Sequence, residues 1–318
     1  MTRPLPSRWI RRALDQAPVL LVVLVLAGFG RMSDRFLTPD NLTQILLQAA
    51  APVIVATGMT FVLLTAGVDL SVGAVMFVGA AIAGKMALAG YAPTLCLAAM
   101  LAVGLAGGGI NALLVTRLRL AAFIATLAML FIGRGLGRWI TQTRAMNLPD
   151  TFLHWGSANV LGIPGPLWVA GAVVLIAQLI LSRTPFGRQV LAFGNHPEAA
   201  RRAGVRTRPL QAAVYILCGL CAALGGGVAL TQLGSVSPRF GEQYEFDAIT
   251  AAVLGGTSLF GGRGRVFPGT VLGAILLKAI FSGLVILQAD PYLYPLITAV
   301  IIFVAVLLDS LRTHLLPA

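Results

Sequence analysis

The composition of this 318-residue chain is typical of a helical membrane protein. Hydrophobic residues make up 58% of it, charged residues make up 11%, and the mean hydropathy is +0.88, whereas a soluble domain has about 25% charged residues. The net charge of +12 does not indicate nucleic acid as a partner, because the basic residues lie mainly in short loops between apolar runs, where membrane topology and anionic lipid favour them.

Ten apolar runs follow one another along the chain, and each predicts a membrane span. They cover approximately residues 14–31, 46–66, 70–90, 92–115, 120–141, 165–182, 210–232, 246–261, 266–287 and 291–309. The eighth run is too short for a comfortable span, so a broken or re-entrant helix is the alternative there. We therefore predict an all-α, polytopic transmembrane bundle of about ten spans, with residues 1–318 as a single transmembrane domain.

The N-terminal segment is interpreted as an uncleaved first span. Four arginines precede the apolar run 18–30, a pattern that is also typical of a secretory signal. However, Arg31 follows the run directly, and no clear small-residue cleavage site precedes a soluble domain. We therefore expect the segment to stay in the protein.

The distribution of basic residues predicts the orientation of the spans. If the N-terminus is inside, the cytoplasmic segments are 1–13, 67–69, 116–119, 183–209, 262–265 and 310–318. These segments hold fifteen of the 23 basic residues: Arg3, Arg8, Arg11, Arg12, Arg117, Arg119, Arg183, Arg188, Arg201, Arg202, Arg206, Arg208, Arg263, Arg265 and Arg312. Because Lys and Arg accumulate in cytoplasmic loops, the pattern favours ten spans with both termini in the cytoplasm.

The turn between the second and third runs contains an aspartate, in the sequence TFVLLTAGVDLSVG. A charged Asp at the centre of a bilayer costs about 2.5–3.5 kcal/mol on insertion scales. One interpretation is structural: Gly67 breaks the helix, and Asp69 or Ser71 caps the next one. The other interpretation is functional, and places a broken helix near a translocation path.

Three further polar residues, Asn111, Arg134 and Lys278, fall within predicted spans. Each needs a polar partner or a route to the interface. Arg134 is expected to extend its side chain to the interface. Lys278 lies near the middle of the ninth run, and Asp69 or a backbone carbonyl is its candidate partner.

Glycine and cysteine residues in the runs are interpreted as packing residues. Gly104 and Gly108 form one of several GxxxG pairs, whose small residues let helices approach closely. Cys218 and Cys221 form a CxxC pair without a third or fourth ligand, which favours buried apolar positions over a redox or metal site.

One long polar stretch, residues 183–209, interrupts the apolar pattern and is predicted to be cytoplasmic because it carries six arginines and one acid. Asn195 or His196 is expected to cap a short helix, with Glu198 near its positive end. Gly204 is expected to end that helix after about two turns. Such a helix is either a surface made to be held by a partner or a solvated connector.

The last motif runs from Tyr244 to Arg265, where Glu245 and Asp247 open an apolar helix and a glycine-rich segment follows. The glycines are similar to those of a phosphate loop, but no GxxxxGK[ST] sequence occurs. The chain also lacks HExxH, a GxSxG with a plausible triad, and a ligand-spaced His/Cys cluster. We therefore expect no catalytic, cofactor or metal site.

Several of these blocks, in order between about residues 38 and 308, resemble the permease subunits of bacterial ABC-type importers for monosaccharides, the ribose/xylose/arabinose/galactoside group. Branched-chain amino-acid permeases are more distant relatives. The resemblance is carried by TFVLLTAGVDLSVG, the Asn111 block, FIATL from Phe123, Arg134-Gly135-Leu136, TPFGRQVLAFGNHPEAARRAGV, YEFDAI from Tyr244 and GGTSLFGGRGRVFPGTVLGA. Ala66 and Ala112 stand where the group usually has glycine, which is a small-for-small change.

The resemblance implies a permease subunit of the bacterial inner membrane that imports a monosaccharide or a related small polar solute and is not itself an enzyme. It implies three protein partners: a cytoplasmic ABC ATPase, a periplasmic sugar-binding protein, and a second permease copy or paralogue. Membrane lipid surrounds the assembly, and no cofactor is implied.

The resemblance also assigns candidate residues. The EAA-x-x-x-G pattern of the loop that docks into the ATPase matches Glu198, Ala199, Ala200 and Gly204, and Asn195 is counted with them as a candidate cap. The candidates for the translocation path are Asp69, Ser71, Asn111 and Thr126. The alternative function is a secondary transporter or channel, which would need a coupling-ion site and inverted repeats, and Asp69 and Lys278 are too few for such a relay.

Overall fold

The computed structural model describes residues 16–315, and α-helices dominate it. Thirteen α-helices occur in this part of the chain: α1 (Ala17–Met32), α2 (Pro39–Leu64), α3 (Val72–Leu88), α4 (Pro93–Ala112), α5 (Ala122–Thr141), α6 (Asp150–Ser157), α7 (Gly165–Arg183), α8 (Pro185–Asn195), α9 (Pro197–Arg202), α10 (Thr207–Leu233), α11 (Tyr244–Leu254), α12 (Val271–Ile286) and α13 (Tyr294–Leu315). The four arginines before residue 13 lie outside the described residues.

The apolar helices follow the predicted runs. Six helical segments are long and apolar enough to cross a membrane: α2, α5, α7, α10, α4 with its π-helical extension to Arg117, and α12 with the π-helical turn that begins at Val266. The apolar parts of α1, α3 and α13 are shorter. The all-α membrane class is therefore confirmed, while the number of ten spans stays a prediction.

The eighth predicted run contains a short helix and a loop. α11 has 11 residues, and at 1.5 Å per residue it is about 16 Å long, roughly half the hydrocarbon thickness of a bilayer. The following residues, 255–265, form a non-helical loop. This agrees with the interpretation of the run as a broken helix.

The core lies around α2 and α10. Every residue of α2 from Ala49 to Leu64 is buried, and α10 packs along both α2 and α4. The approach of α10 to α4 depends on glycines, because a Cβ atom on Gly104 or Gly108 would collide with the α10 backbone. The packing interpretation of this GxxxG pair is thus confirmed.

Two small antiparallel pairs of strands lie in the loops at one end of the bundle. β1 (Met146–Asn147) pairs with β4 (Ser235–Val236), and β2 (Asn159–Val160) pairs with β3 (Ile163–Pro164). The first pair ties the segment after α5 to the segment after α10, so the ends of these two helices are held together.

The polar stretch 183–209 contains two helices, whereas the sequence predicted one. Thr184 caps α8 by accepting a hydrogen bond from the amide of Gly187 at 3.2 Å, and Pro185 is the first helical residue. Val190 and Phe193 of α8 are buried. The arginines of the stretch conceal this short apolar face, so its sequence pattern indicates a loop.

The sequence offers Asn195 and His196 as candidates for the cap of α9, and the structure distinguishes them. Asn195 is the last residue of α8, and His196 occupies the capping position without a side-chain capping bond. α9 has six residues, somewhat fewer than two turns. Gly204 has a φ of +87°, the left-handed conformation expected for a residue that ends a helix.

Candidate functional site

α9 is a surface helix. Its residues are exposed except for Ala200, which is 5% exposed and anchors the helix to the bundle. Glu198 and Arg201 form an exposed ion pair at 2.8 Å. α9 packs against α8 and the start of α10, so its outer face is open to a partner.

Beneath α9, three backbone segments meet closely. The amide of Gly262 donates to the carbonyl of Leu64, at the end of α2, at 2.9 Å. A Cβ atom on Gly194 would collide with that same carbonyl and with the Gly262 amide. The side chain of Asn195 lies against Gly262. The end of α8 is thus joined to the end of α2 and to the glycine-rich loop, with no space for an added side chain.

Three of the four candidate path residues form one buried cluster. The Oδ1 atom of Asp69 accepts from the amide of Ser71 at 2.9 Å and from its hydroxyl at 2.7 Å. The Nδ2 atom of Asn111 lies 3.2 Å from each carboxylate oxygen of Asp69 and 2.8 Å from Oγ of Ser71. All three side chains are at most 1% exposed. The cluster joins the turn after α2 to α4.

Thr126 lies beside this cluster, on α5. Its hydroxyl donates to the carbonyl of Ala122 at 2.8 Å and lies 3.4 Å from the carbonyl of Val68.

The helix-cap interpretation of this turn holds only in part. Ser71 is the N-cap residue of α3 but makes no side-chain capping bond. Asp69 closes the turn before α3 by accepting from the amide of Ser71. In the described part of the chain, Oδ1 of Asn111 is buried without a hydrogen-bond partner.

The prediction for Arg134 is wrong. Its side chain does not extend to an interface but is buried, with 9% of the residue exposed. The guanidinium donates to the carbonyls of Phe240 at 2.6 Å and Gly241 at 2.5 Å, and lies 4.0 Å from Glu245. Arg134 therefore supplies hydrogen bonds to a non-helical segment, residues 237–243, that precedes α11.

The partner of Lys278 also differs from the candidates named from sequence. Its Nζ atom forms an ion pair at 3.0 Å with Asp247, on the first turn of α11, and not with Asp69. The two side chains are 18% and 15% exposed. The sequence places an acid on α11 and a lysine on α12, but the rotation of the two helices decides that they meet.

A further polar contact was missed in the sequence. Asp309, on α13, accepts from the hydroxyl of Ser258 at 3.1 Å and from the amide of Leu259 at 3.0 Å. Arg263 approaches the same carboxylate to 3.7 Å. The signal was available, because an acid near the end of an apolar run needs partners. Asp309 fixes the glycine-rich loop to the last helix.

The chain is similar to known permeases along nearly its whole length. Residues 41–306 match the family described as the permease component of the branched-chain amino acid transport system. The ribose import permease protein RbsC of Escherichia coli (strain K12) is 37% identical over 302 residues, which cover 93% of this chain and 94% of that protein. The D-allose transport system permease protein AlsC of the same organism is 36% identical over 296 residues, covering 92% and 90%.

A solved structure shares the fold. An inward-facing conformation of a metal-chelate type ABC transporter superposes with a TM-score of 0.54, covering 97% of this chain and 99% of that one. The two sequences are 14% identical, so the likeness concerns the arrangement of helices alone.

Proposed function

The chain belongs to the family of the permease component of the branched-chain amino acid transport system, and from this premise we propose that it imports a monosaccharide or a related small polar solute as the membrane subunit of an ATP-driven transporter. It is a transport component and not an enzyme. The observation that carries the choice of solute is the end-to-end similarity to proteins named as ribose and D-allose permeases. Because the similarity extends over at least 90% of both chains, it concerns whole proteins.

ATP hydrolysis is assigned to a separate cytoplasmic ABC ATPase, and residues 183–209 are proposed as the coupling loop that contacts it. The support is the exposure of α9, which presents Glu198 and Ala199 on the surface while Ala200 anchors it, and the exposure of Gly204 just after the helix. Asn195 is proposed to act from the end of α8, where it touches Gly262. Closure of the ATPase would move α9 and α8 as a rigid unit.

The remaining partners follow from the same premise. A periplasmic sugar-binding protein is proposed to deliver the solute, and a second copy or paralogue of this permease to complete the path. The outward face of α5, which exposes Phe131 by 67% and Trp139 by 78%, is a candidate contact for the second copy. Such a face is covered either by lipid or by another membrane subunit.

The protein is a multi-pass protein of the inner membrane. We propose that it crosses the membrane ten times and has both termini in the cytoplasm. The support is the excess of arginine in alternate loops and the presence of one helix in each of the ten apolar runs.

The translocation path is proposed to run beside the cluster of Asp69, Ser71 and Asn111, with Thr126 on the neighbouring helix. Polar groups this deeply buried in a membrane bundle are costly, which favours a functional reason for them. Because they are at most 1% exposed in this conformation, they are proposed to border the path and to hold the turn after α2 against α4 and α5.

The experiment is uptake into proteoliposomes that contain the permease with its ATPase, with the binding protein added outside. Uptake of labelled D-ribose or D-allose should require ATP inside and should persist when ionophores abolish ion gradients. Uptake that needs an ion gradient and no ATPase would instead support a secondary transporter.

A further inference from the structure

A polar groove with a volume of about 580 Å³ opens on one side of the bundle, between α2, α6, α10, α11 and α12. The polar side chains that line it are Gln44, Gln48, Thr231, Gln232, Tyr244 and Lys278. They come from four helices that are distant in sequence. We call this feature the polar groove.

The two glutamines of α2 favour water, and not lipid, on this face. Gln44 and Gln48 are four residues apart, so they lie on the same side of the helix, and both are exposed. No hydrogen bond joins their amides to another residue in the part of the chain that the structure describes. An amide that faces hydrocarbon without a partner is costly. A water-filled groove removes that cost.

The other side of α2 provides a contrast. The groove there, between α7 and α12, is lined by apolar side chains such as Leu46, Val53 and Leu175, with Gln178 as the exception. That surface suits a lipid chain. The same helix therefore presents one face for lipid and one for a polar medium.

The floor of the polar groove is electrically neutral overall. Lys278 contributes an ammonium group, and its ion pair with Asp247 balances the charge. An ammonium has three N–H donors, so hydrogen-bonding capacity remains beyond the pair. A neutral ligand is favoured here over an anion, because Asp247 already compensates the cation.

The walls supply groups that both donate and accept hydrogen bonds. Gln232 is oriented by donating from Nε2 to the carbonyl of Leu47 at 2.9 Å, which leaves its Oε1 atom as an acceptor. Gln44 and Gln48 each offer a donor and an acceptor, and Tyr244 and Thr231 line the same groove. Sugar hydroxyls are also both donors and acceptors, so the groove and a polyhydroxylated ring match in chemistry.

We propose that the polar groove binds a neutral, polyhydroxylated solute on its way into the permease, an inference that rests on the proposed function and names a site for its substrate. The groove lies next to the ends of α2 and α10 that, in the proposed topology, face the periplasm. A solute released by a binding protein would reach Gln44, Gln48 and Lys278 before it reaches the cluster around Asp69.

The first test measures access with cysteines. Gln48→Cys in proteoliposomes should react with a membrane-impermeant maleimide, and Leu175→Cys, on the apolar groove, should not. The native cysteines Cys96, Cys218 and Cys221 are buried and provide a low background. Millimolar D-ribose or D-allose should slow the labelling of Gln48→Cys several-fold, whereas ribose 5-phosphate should not.

The second test measures transport per ATP. Gln44→Leu with Gln48→Leu should lower the amount of sugar imported per ATP hydrolysed about tenfold, as expected for the loss of one to two hydrogen bonds. Thr43→Val, an exposed change on α2 outside the groove, is the control and should behave as the unchanged protein. The amount of sugar imported per ATP hydrolysed is a ratio. A lower amount of the variant permease in the membrane therefore does not by itself reduce it.

The outcomes separate the two proposals. If the unchanged protein imports neither sugar with ATP, the proposed solute class is wrong. If it imports sugar but Gln48→Cys is unreactive, or is labelled equally fast with and without sugar, the polar groove is not the binding site. The same conclusion follows if the double leucine variant imports as much sugar per ATP as Thr43→Val.

Discussion

At the scale of single residues, the ion pair of Lys278 with Asp247 provides a stability test. Lys278→Met leaves a mostly buried carboxylate without its cation, and breaking such a pair costs roughly 3–5 kcal/mol. Since both side chains keep some exposure, at 18% and 15%, we expect the loss in free energy of unfolding to be near the lower limit of this range. The thermal unfolding midpoint in detergent should fall for Lys278→Met and should recover in Lys278→Met with Asp247→Asn. A single variant as stable as the unchanged protein would contradict the pairing.

Asp69 and Asp34 provide a second comparison at this scale. Asp69→Asn replaces a carboxylate that receives three donors with an amide that has one oxygen, and hydrogen bonds to a charged group are worth about 1.5–3 kcal/mol each. Asp34 is exposed, so Asp34→Asn should change little. ATP-driven uptake at equal membrane amounts should be clearly lower for Asp69→Asn. Equal uptake by both variants would remove Asp69 from the candidate residues.

The sequence identified the residues that need partners better than it identified the partners. Asp69, Asn111, Arg134 and Lys278 were noticed because polar groups inside apolar runs are expensive. Two assignments were wrong, those of Arg134 and Lys278. Arg134 binds backbone carbonyls, which leave no signature in a sequence, and the pairing of Lys278 depends on the rotation of α11 against α12.

At the scale of elements, two glycines near α9 should separate coupling from packing. A Cβ atom at Gly204 meets nothing within 4 Å, so Gly204→Asp costs only the left-handed backbone angle, about 1 kcal/mol. Gly204→Asp and, separately, Glu198→Arg should leave the amount of permease in the membrane unchanged. Each should weaken both the retention of the ATPase and the uptake of sugar. Gly194→Ala collides with Leu64 and Gly262, and should lower the thermal midpoint. Unchanged retention and uptake in both α9 variants would mean that α9 is a connector.

The positions of the apolar helices could be predicted, because the thickness of a bilayer imposes their length and composition. α8 could not be recognised by that criterion. It is a short amphipathic helix with Val190 and Phe193 inward and Arg188 outward. Its start at Thr184 and Pro185 was the available signal. The close contact of Gly194 with Gly262 could not be predicted either, because backbone contacts made by a loop produce no periodic pattern in the sequence.

At the scale of the whole molecule, the number and direction of spans can be tested without knowledge of the solute. A reporter fused after Ala318, or inserted between residues 183 and 209, should have the activity of a cytoplasmic protein. The reason is that alternate loops carry most of the arginines. A periplasmic signal at either place would contradict the ten-span topology, and the proposed place of α9 would then be wrong.

The bond from Arg134 to the segment before α11 has a consequence for biogenesis. Arg134 is translated more than one hundred residues before its acceptors at Phe240 and Gly241. Until those residues leave the ribosome, a guanidinium within a nascent span has neither of these acceptors, and the short α11 cannot insert as an independent span. We therefore expect α5 to reach its final place in the bundle only after the late half of the chain has been synthesised.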